Sequence, residues 1–242
     1  QYYAASRISD RVTVIDRDKL WGTKGLKGGF VWHTTGSGKT MTSFKCAQLI
    51  ANSKDADKVV FLVDRIELGT QSLEQYRSFA NESETVQKTE STDALKAKLK
   101  SSDPSDTLIV TSIQKMGNID EDAMSARDLE AIRKKRIVFI VDECHRSTFG
   151  KNMETIKRVF PGALMFGFTG TPIHEENRKK LSTTTDVFGD ELHRYSIADG
   201  IRDGNVLGFD TCPVATYPEF DLRQAVALDE AKAKSMEEVM GD

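Results

Sequence analysis

Gly29-Phe30-Val31-Trp32-His33-Thr34-Thr35-Gly36-Ser37-Gly38-Lys39-Thr40 is the stretch on which the fold turns. Gly29 to His33 has strand character. It runs straight into a glycine-punctuated turn, and the following segment, Lys39 to Ala51, spaces Met41, Phe44, Ala47 and Ile50 near a helical period. Strand, Gly-rich loop and helix in direct succession form the context in which a GSGKT run cradles phosphate. Its glycines let backbone N–H groups converge on phosphate oxygens with no Cβ in the way. The helix start adds about +0.5 of an elementary charge facing the anion. Lys39 is placed to reach β- and γ-phosphates, and the Thr40 hydroxyl to ligate Mg²⁺. The first loop position, commonly Gly or Ala, is His33.

Outward from this unit, short aliphatic runs alternate with amphipathic stretches. Strands are predicted at Lys58–Asp64, Thr107–Thr111, Arg136–Val141 and Ala163–Phe168, and helices at Glu67–Phe79, Asp93–Lys100 and Met153–Phe160. Pro161-Gly162 ends the last of these. Apolar strands that do not alternate with polar residues belong to a parallel sheet covered on both faces. The fold class is therefore α/β, a doubly wound, mostly parallel sheet. A helix over Tyr2–Ile15 leads in, and Asn81–Lys88 and Ser101–Asp106 read as surface loops. Further on, a strand is expected at Leu192–Ile197, helical turns at Ile197–Arg202, a strand at Val206–Val214 and an acidic helix at Leu228–Met240.

Two more strand ends carry chemistry. Asp142-Glu143-Cys144-His145 follows the aliphatic run Arg136–Val141. Adjacent carboxylates at the end of a buried strand are costly unless a positive group stands beside them. Mg²⁺ with its nucleotide phosphates meets that need. Asp142 is then the metal ligand, direct or through water, and Glu143 orients and deprotonates an attacking water. His145 either couples the site to another domain or hydrogen-bonds within the loop, and Cys144 reads as a small packing residue. After Ala163–Phe168 comes Thr169-Gly170-Thr171-Pro172, whose hydroxyls can sense a γ-phosphate by changing partners. In open α/β sheets functional groups gather beyond the carboxyl ends of strands, where all three segments fall.

Composition narrows the classes. The chain has 242 residues, 34 Lys plus Arg against 37 Asp plus Glu, and a formal net charge of −3. That balance excludes a polybasic protein held to nucleic acid by bulk charge, so any such site must be local. Hydrophobic residues make up 38% of the chain, enough for a sizeable core and against disorder or a small disulfide scaffold. Three dispersed cysteines, Cys46, Cys144 and Cys212, fit reduced thiols in the cytoplasm. No aliphatic run approaches the ~20 residues of a membrane span. Starting at Gln1 rather than Met, the chain is expected to be a piece of something longer.

Together these residues carry a family likeness. Gly36–Thr40, Asp142–His145 and Thr169–Pro172 resemble motifs I, II and III of superfamily 2 helicases and translocases. The longer phrases, Gly28 to Thr40, Val63-Asp64-Arg65, Thr111 to Lys115, Asp142 to Arg146, Gly167 to Pro172, Asp186 to Gly189 and Tyr195-Ser196-Ile197, resemble the motor (R) subunit of type I restriction endonucleases. In that family Trp-His before the loop is normal. The resemblance implies a RecA-like P-loop NTPase using ATP and Mg²⁺. Residues Gln1, Thr35, Gly36, Ser37, Gly38, Lys39 and Thr40 would bind ATP, with Gln1 reading the adenine edge. Thr40 and Asp142 would hold the metal, Lys39, Asp142 and Glu143 would carry catalysis, and His145, Thr169 and Thr171 would couple hydrolysis to movement. Arg65, Gln71, Thr111, Ser112 and Gln114 would contact the DNA backbone, which hydroxyl, amide and guanidinium donors suit. The basic stretches Arg133–Arg136 and Arg178-Lys179-Lys180 read instead as solvated faces.

The same likeness divides the chain into a lead-in (1–27), a first RecA-like ATPase domain (28–215) and an exit segment (216–242) toward a second RecA-like domain. Its implied partners are duplex DNA, methyltransferase and specificity subunits, and that second domain and a nuclease domain of the same parent chain. No membrane is implied. Two other readings stay open at this point: the motor half of another superfamily 2 DNA or RNA helicase, and a nucleotide-binding scaffold without turnover. Lacking the arginines of a second domain, this chain alone is expected to bind nucleotide weakly and to hydrolyse it slowly.

Overall fold

A computed structural model describes residues 1–23, 25–63, 87–88, 91–119, 124–144, 149–173 and 183–208. The chain divides into two compact units, Gln1–Val206 and Leu207–Asp242, and the account below concerns the first. Its elements are α1 (Tyr2–Arg17), β1 (Gly29–His33), α2 (Lys39–Ser53), β2 (Lys58–Val63), β3 (Gln87–Lys88), α3 (Thr92–Lys100), β4 (Leu108–Ser112), α4 (Ile113–Gly117), α5 (Ala126–Arg133), β5 (Ile137–Val141), α6 (Phe149–Val159), β6 (Leu164–Thr169), α7 (Thr184–Phe188), β7 (Glu191–Tyr195) and α8 (Ile197–Arg202). The strands form one seven-stranded sheet in the order β3-β4-β2-β5-β6-β1-β7, and every pairing among the described residues is parallel.

The two faces of this sheet are two separate cores, and the alternation of side chains along each strand assigns them. Val31, Val59, Phe61, Val138, Ile140, Phe166 and Phe168 face α1 and α2, meeting Phe44, Ala47 and Ile50 of α2. Phe30, Val60, Leu62, Phe139, Val141 and Met165 face the other way, against Leu95, Leu99, Ile113, Met116, Leu129, Ile132, Ile156 and Val159 of the opposite helices. Helix α1 is part of the first core. Ala4, Ile8, Val12 and Ile15 make one buried stripe at helical spacing. Arg7 also donates to the Leu192 carbonyl, which ties α1 to β7.

The doubly wound parallel sheet stands as expected. Several short elements depart from the sequence reading. The stretch read as a loop over Asn81–Lys88 contains β3, two polar residues that pair by backbone with Ile109 and Val110 and so carry no apolar signature. Within Ser101–Asp106, Pro104–Asp106 forms a 3₁₀ turn, its start capped by Asp103, which accepts from Ser105 N at 2.8 Å. Helices α4 and α5 had no periodicity long enough to announce them. Each is one or two turns, fixed by a Ser cap (Ser112, Ser125) and two buried apolar residues. The predicted helix Glu67–Phe79, most of the strand Val206–Val214 and the helix Leu228–Met240 lie outside the described residues.

The basic run Arg133–Arg136 is a solvated face only in part: Arg133 and Lys134 are exposed, while Lys135 and Arg136 are half-buried. Arg133 Nε donates to Val159 O at 2.7 Å, and Lys135 Nζ donates to the carbonyls of Leu99, Lys100 and Ser101 at 3.0, 2.7 and 2.6 Å. Arg136 binds Asp16 and Asp57 and thereby pins α1 to the start of β5. Lys134 pairs with Glu130 at the surface, as the sequence pattern indicated. These charges close helix ends and strand starts, a role set by neighbours far away in the chain.

Phe61 is fully buried, with its ring edge-on to Phe44 at a centroid distance of 5.7 Å. Truncating it to Ala leaves a void between α2 and the centre of the sheet. Phe61→Ala is expected to lower the unfolding free energy by about 3–5 kcal/mol, read by urea denaturation. A loss under about 1 kcal/mol would contradict the packing described.

Candidate nucleotide site

Because the sheet is parallel, β1, β5 and β6 end on the same edge, and the three expected motifs meet there. The loop after β1 turns at Gly36 and Gly38, both in the left-handed region at φ 83° and 77°. Such backbone is open to Gly at no steric cost. Space adds a second constraint at Gly38, where a Cβ would stand 2.2 Å from Gln1 Nε2. Gln1, which opens α1, donates from that amide to Ser37 O at 3.2 Å. Ser37 Oγ in turn donates to Thr34 O at 2.6 Å, so the loop is braced from within.

The acidic pair faces this loop. Asp142 is 6% exposed and accepts from Thr40 Oγ1 at 3.1 Å. Burial, and then the adjacent Glu143, push its carboxyl up to about 6 against the pull of Lys39 and Thr40. Glu143 adopts a left-handed backbone (φ 53°), unusual for a residue with a side chain, as the chain leaves β5. Its N–H donates to Asp142 Oδ1 at 3.0 Å, and its carboxylate pairs with Lys39 Nζ at 2.6 Å. Lys39 is itself buried. A cation, a hydroxyl and two carboxylates thus converge on one point.

Thr40 and Asp142 offer hard oxygen donors, which suit Mg²⁺. That ion keeps several waters and binds through one or two carboxylates together with substrate phosphates. Among the described residues no three His, Cys, Asp or Glu side chains cluster as an all-protein metal cage. The donor set therefore fits an ion that arrives with a nucleotide, and a buried carboxyl whose charge is disfavoured is suited to receive it.

The turn after β6 packs against the loop. Ile173 N donates to Thr184 Oγ1 at 2.8 Å, and Thr171 N donates to Thr169 Oγ1 at 3.0 Å, with Thr169 fully buried. A Cβ on Gly170 would stand 3.3 Å from His33 O, so the turn lies directly against the root of the loop. Trp32 Nε1 donates to Gly170 O at 3.1 Å, and Arg194 stacks over that indole at 4.4 Å. Cys144 fills the space over Gly167, and burial raises its thiol far above the ordinary range, which makes it the packing residue expected.

Some contacts had no signal in the sequence. His33 Nε2 meets His193 Nδ1 at 2.9 Å, and Thr34 N donates to Tyr195 O at 3.0 Å, so β7 buttresses the root of the loop. Only pairing of β7 with β1 brings these residues together. Of the expected DNA-contacting residues, Thr111 and Ser112 lie buried at the end of β4, and Ser112 Oγ caps α4 by accepting from Lys115 N. Gln114 follows in the first turn of α4. Arg65, Gln71, His145 and the stretch Arg178-Lys179-Lys180 lie outside the described residues.

Comparison with known proteins gives the chain its family. The SWI2/SNF2 ATPase family matches residues 1–240, and the chain belongs to that family. A type I restriction enzyme endonuclease subunit of Staphylococcus saprophyticus, SsaAORF53P, is 47% identical over 188 residues, covering 77% of this chain and 20% of that protein. A Mycoplasma pneumoniae protein, the C-terminal part of the putative type I restriction endonuclease MpnIIP, is 40% identical over 160 residues, 66% of this chain and 76% of that one. Within the family, the chain sits with the endonuclease subunits of type I restriction enzymes, as the motifs implied. It spans about a fifth of the length of the first of these relatives. In fold it matches a nuclease-deletion mutant of the type ISP restriction-modification enzyme LlaGI, solved with a DNA substrate mimic. The TM-score is 0.54 at 18% identity, over 85% of this chain and 20% of that one. The type ISP enzyme LlaBIII, solved bound to DNA, gives a TM-score of 0.52 at 18% identity over 84% and 15% of the respective chains.

His33 supplies a pH test of the site's foundation. Burial, with the neighbouring His193, pulls its imidazole down to about 4 from 6.5. The unfolded chain therefore takes up the proton first as pH falls. The stability His33 contributes is complete above about pH 6.5 and is lost between there and about pH 4. Thermal unfolding of the wild-type chain should follow that slope, and His33→Gln should flatten it. An unchanged slope in the variant would show that His33 is not the group titrating.

Proposed function

We propose that this chain is the first motor domain of an ATP-dependent DNA translocase, the nucleotide-binding half of a type I restriction enzyme's R subunit. The observation that carries the reading is the convergence of Lys39, Thr40, Asp142 and Glu143 at one edge of the sheet, in a chain of the SWI2/SNF2 ATPase family. In this reading Thr35 to Thr40 hold the triphosphate through backbone N–H groups and Lys39, and Gln1 lies beside the loop for the adenine. Thr40 and Asp142 hold Mg²⁺, which when bound neutralises charge on the β- and γ-oxygens. Glu143 accepts a proton from the water that attacks the γ-phosphorus, so water and ATP become ADP and phosphate.

The Lys39–Glu143 pair has a consequence for that chemistry. With a triphosphate in the loop, Lys39 has a more highly charged partner, and Glu143 is released to take a proton from water. The base is thus held neutralised by the lysine until substrate arrives. Thr169 and Thr171, in the turn that packs on Thr35, are placed to pass the state of the γ-phosphate onward, and His145 joins them in this proposal. Gln114, with Arg65 and Gln71, forms the proposed track for the DNA backbone, while the buried Thr111 and Ser112 hold the end of β4 and the start of α4 beneath it. The second RecA-like domain, the nuclease domain and the methyltransferase and specificity subunits would complete the machine in the cytoplasm. The segment 216–242 would lead toward that second domain.

Two substitutions in the intact parent subunit test the assignment. Glu143→Gln should retain ATP binding and lower DNA-stimulated hydrolysis by about 10²–10⁴-fold, the range of a lost general base. Lys39→Ala should weaken nucleotide affinity itself, measured by fluorescent-nucleotide titration. Turnover that survives Glu143→Gln removes Glu143 as the base, and unchanged affinity in Lys39→Ala removes the phosphate-loop reading. Stimulation by RNA in preference to duplex DNA would favour a different superfamily 2 motor.

A further inference from the structure

The opposite edge of the sheet carries a second polar cleft that the proposed motor chemistry leaves unused. It lies where β2, β4 and β5 begin, and has a volume of about 810 Å³. That is the size of a site for a small organic molecule, far larger than a lone inorganic ion needs. Lys54, Lys58, Lys135 and Arg136 line it, against two carboxylates, Asp57 and Asp103.

Those two carboxylates are already committed. Asp57 accepts from Arg136 N at 2.8 Å and from its guanidinium at 2.8 and 3.3 Å. Asp103 accepts from Ser105 N. Lys58 and Lys135 bond carbonyl oxygens instead. Lys58 is 1% exposed, and its ammonium donates to one backbone carbonyl, Asp106 O, at 2.7 Å. Among the described residues no carboxylate is ion-paired with Lys58 or with Lys135, whose donors go to three carbonyls. Asp57, Asp103 and Asp106 stand near enough to favour these charges, but a buried ammonium whose direct bonds are to carbonyl oxygens is still poorly compensated. At Lys58, burial and then the charge of Lys135 lower the ammonium to about 8, outweighing the opposing pull of Asp106, Asp103 and Asp57. An anion brought into the cleft would relieve both effects.

The available donors select the kind of anion. Arg136, the one guanidinium lining the cleft among the described residues, is taken by Asp16 and Asp57, so no free fork remains to grip a planar carboxylate at two points. Ammonium groups act on phosphate as point charges, and Ser102, Ser105 and Thr107 line the same wall as hydroxyl donors. We propose that the cleft at the amino edge of the sheet binds the phosphate group of a small organic ligand, with Lys58 as its principal donor. This site is independent of the nucleotide reading, because the strands carry the two clusters at opposite ends.

Inorganic phosphate is the probe, titrated into the 242-residue chain by calorimetry at ionic strength fixed with chloride. Lys39→Ala is present throughout to weaken the loop at the other edge. This background should bind phosphate saturably. Adding Lys58→Met should weaken binding about tenfold or more, the effect of losing a charged hydrogen bond, and Lys58→Arg should restore much of it. Ser102→Asp, which leaves the buried lysine in place and adds a negative charge at the cleft, should weaken binding similarly and guards against misfolding of the first variant. No saturable binding in the Lys39→Ala background overturns the proposal, as does phosphate affinity unaffected by Ser102→Asp. So does an intact parent subunit in which Ser102→Asp leaves phosphate binding unchanged.

Discussion

A buried carboxyl at the end of a central strand sets the terms for the candidate site. Asp142 stands at the end of β5 with β6 on one side and β2 on the other, so solvent cannot stabilise its charge. The structure answers with one hydroxyl from Thr40 and the nearby ammonium of Lys39, both supplied by the first turn of α2. That turn can face Asp142 because α2 packs on the same face of the sheet toward which the alternation of β5 directs position 142. Loop, acid and helix are therefore one electrostatic unit. Moving β1 one place in the sheet order would separate them.

The same unit carries its own restraint. Lys39 and Glu143 neutralise one another at 2.6 Å, and Gln1 sits on the glycine whose openness the loop requires. In this structure the charges at the strand ends are thus paired within the protein. Around this centre the turn after β6 and the root of the loop share hydrogen bonds, through Trp32 and Gly170. A change of partners at one is thereby felt at the other.

At the far edge, basic residues take a different part. Arg136 and Lys135 fasten α1, α3 and the start of β5 by bonding carboxylates and carbonyl groups. Read in sequence, Arg133 to Arg136 is a run of like charges, whose ordinary fate is a solvated surface. Distance in the chain hides the partners: Arg136 reaches back to Asp16, and Arg133 forward to Val159.

The sequence by itself determined the sheet, its parallel sense and the places of the glycine loop, the acidic pair and the hydroxyl turn at its strand ends. Apolar runs without alternation report burial on both faces, and GSGKT reports a backbone conformation, so both signals are local. It also pointed to the family, because the motifs mark the superfamily and the phrases around them narrow it to the type I restriction motor. Only the tertiary structure decided the short elements β3, α4 and α5, whose stability comes from a few packed residues and backbone pairing rather than from periodicity. It alone decided that His193 and Tyr195 support the loop, that Lys39 and Glu143 are paired, and that a buried lysine at the opposite edge bonds a carbonyl and no carboxylate. Each of these rests on contacts between residues remote in the chain, and a one-dimensional pattern records no distance between them.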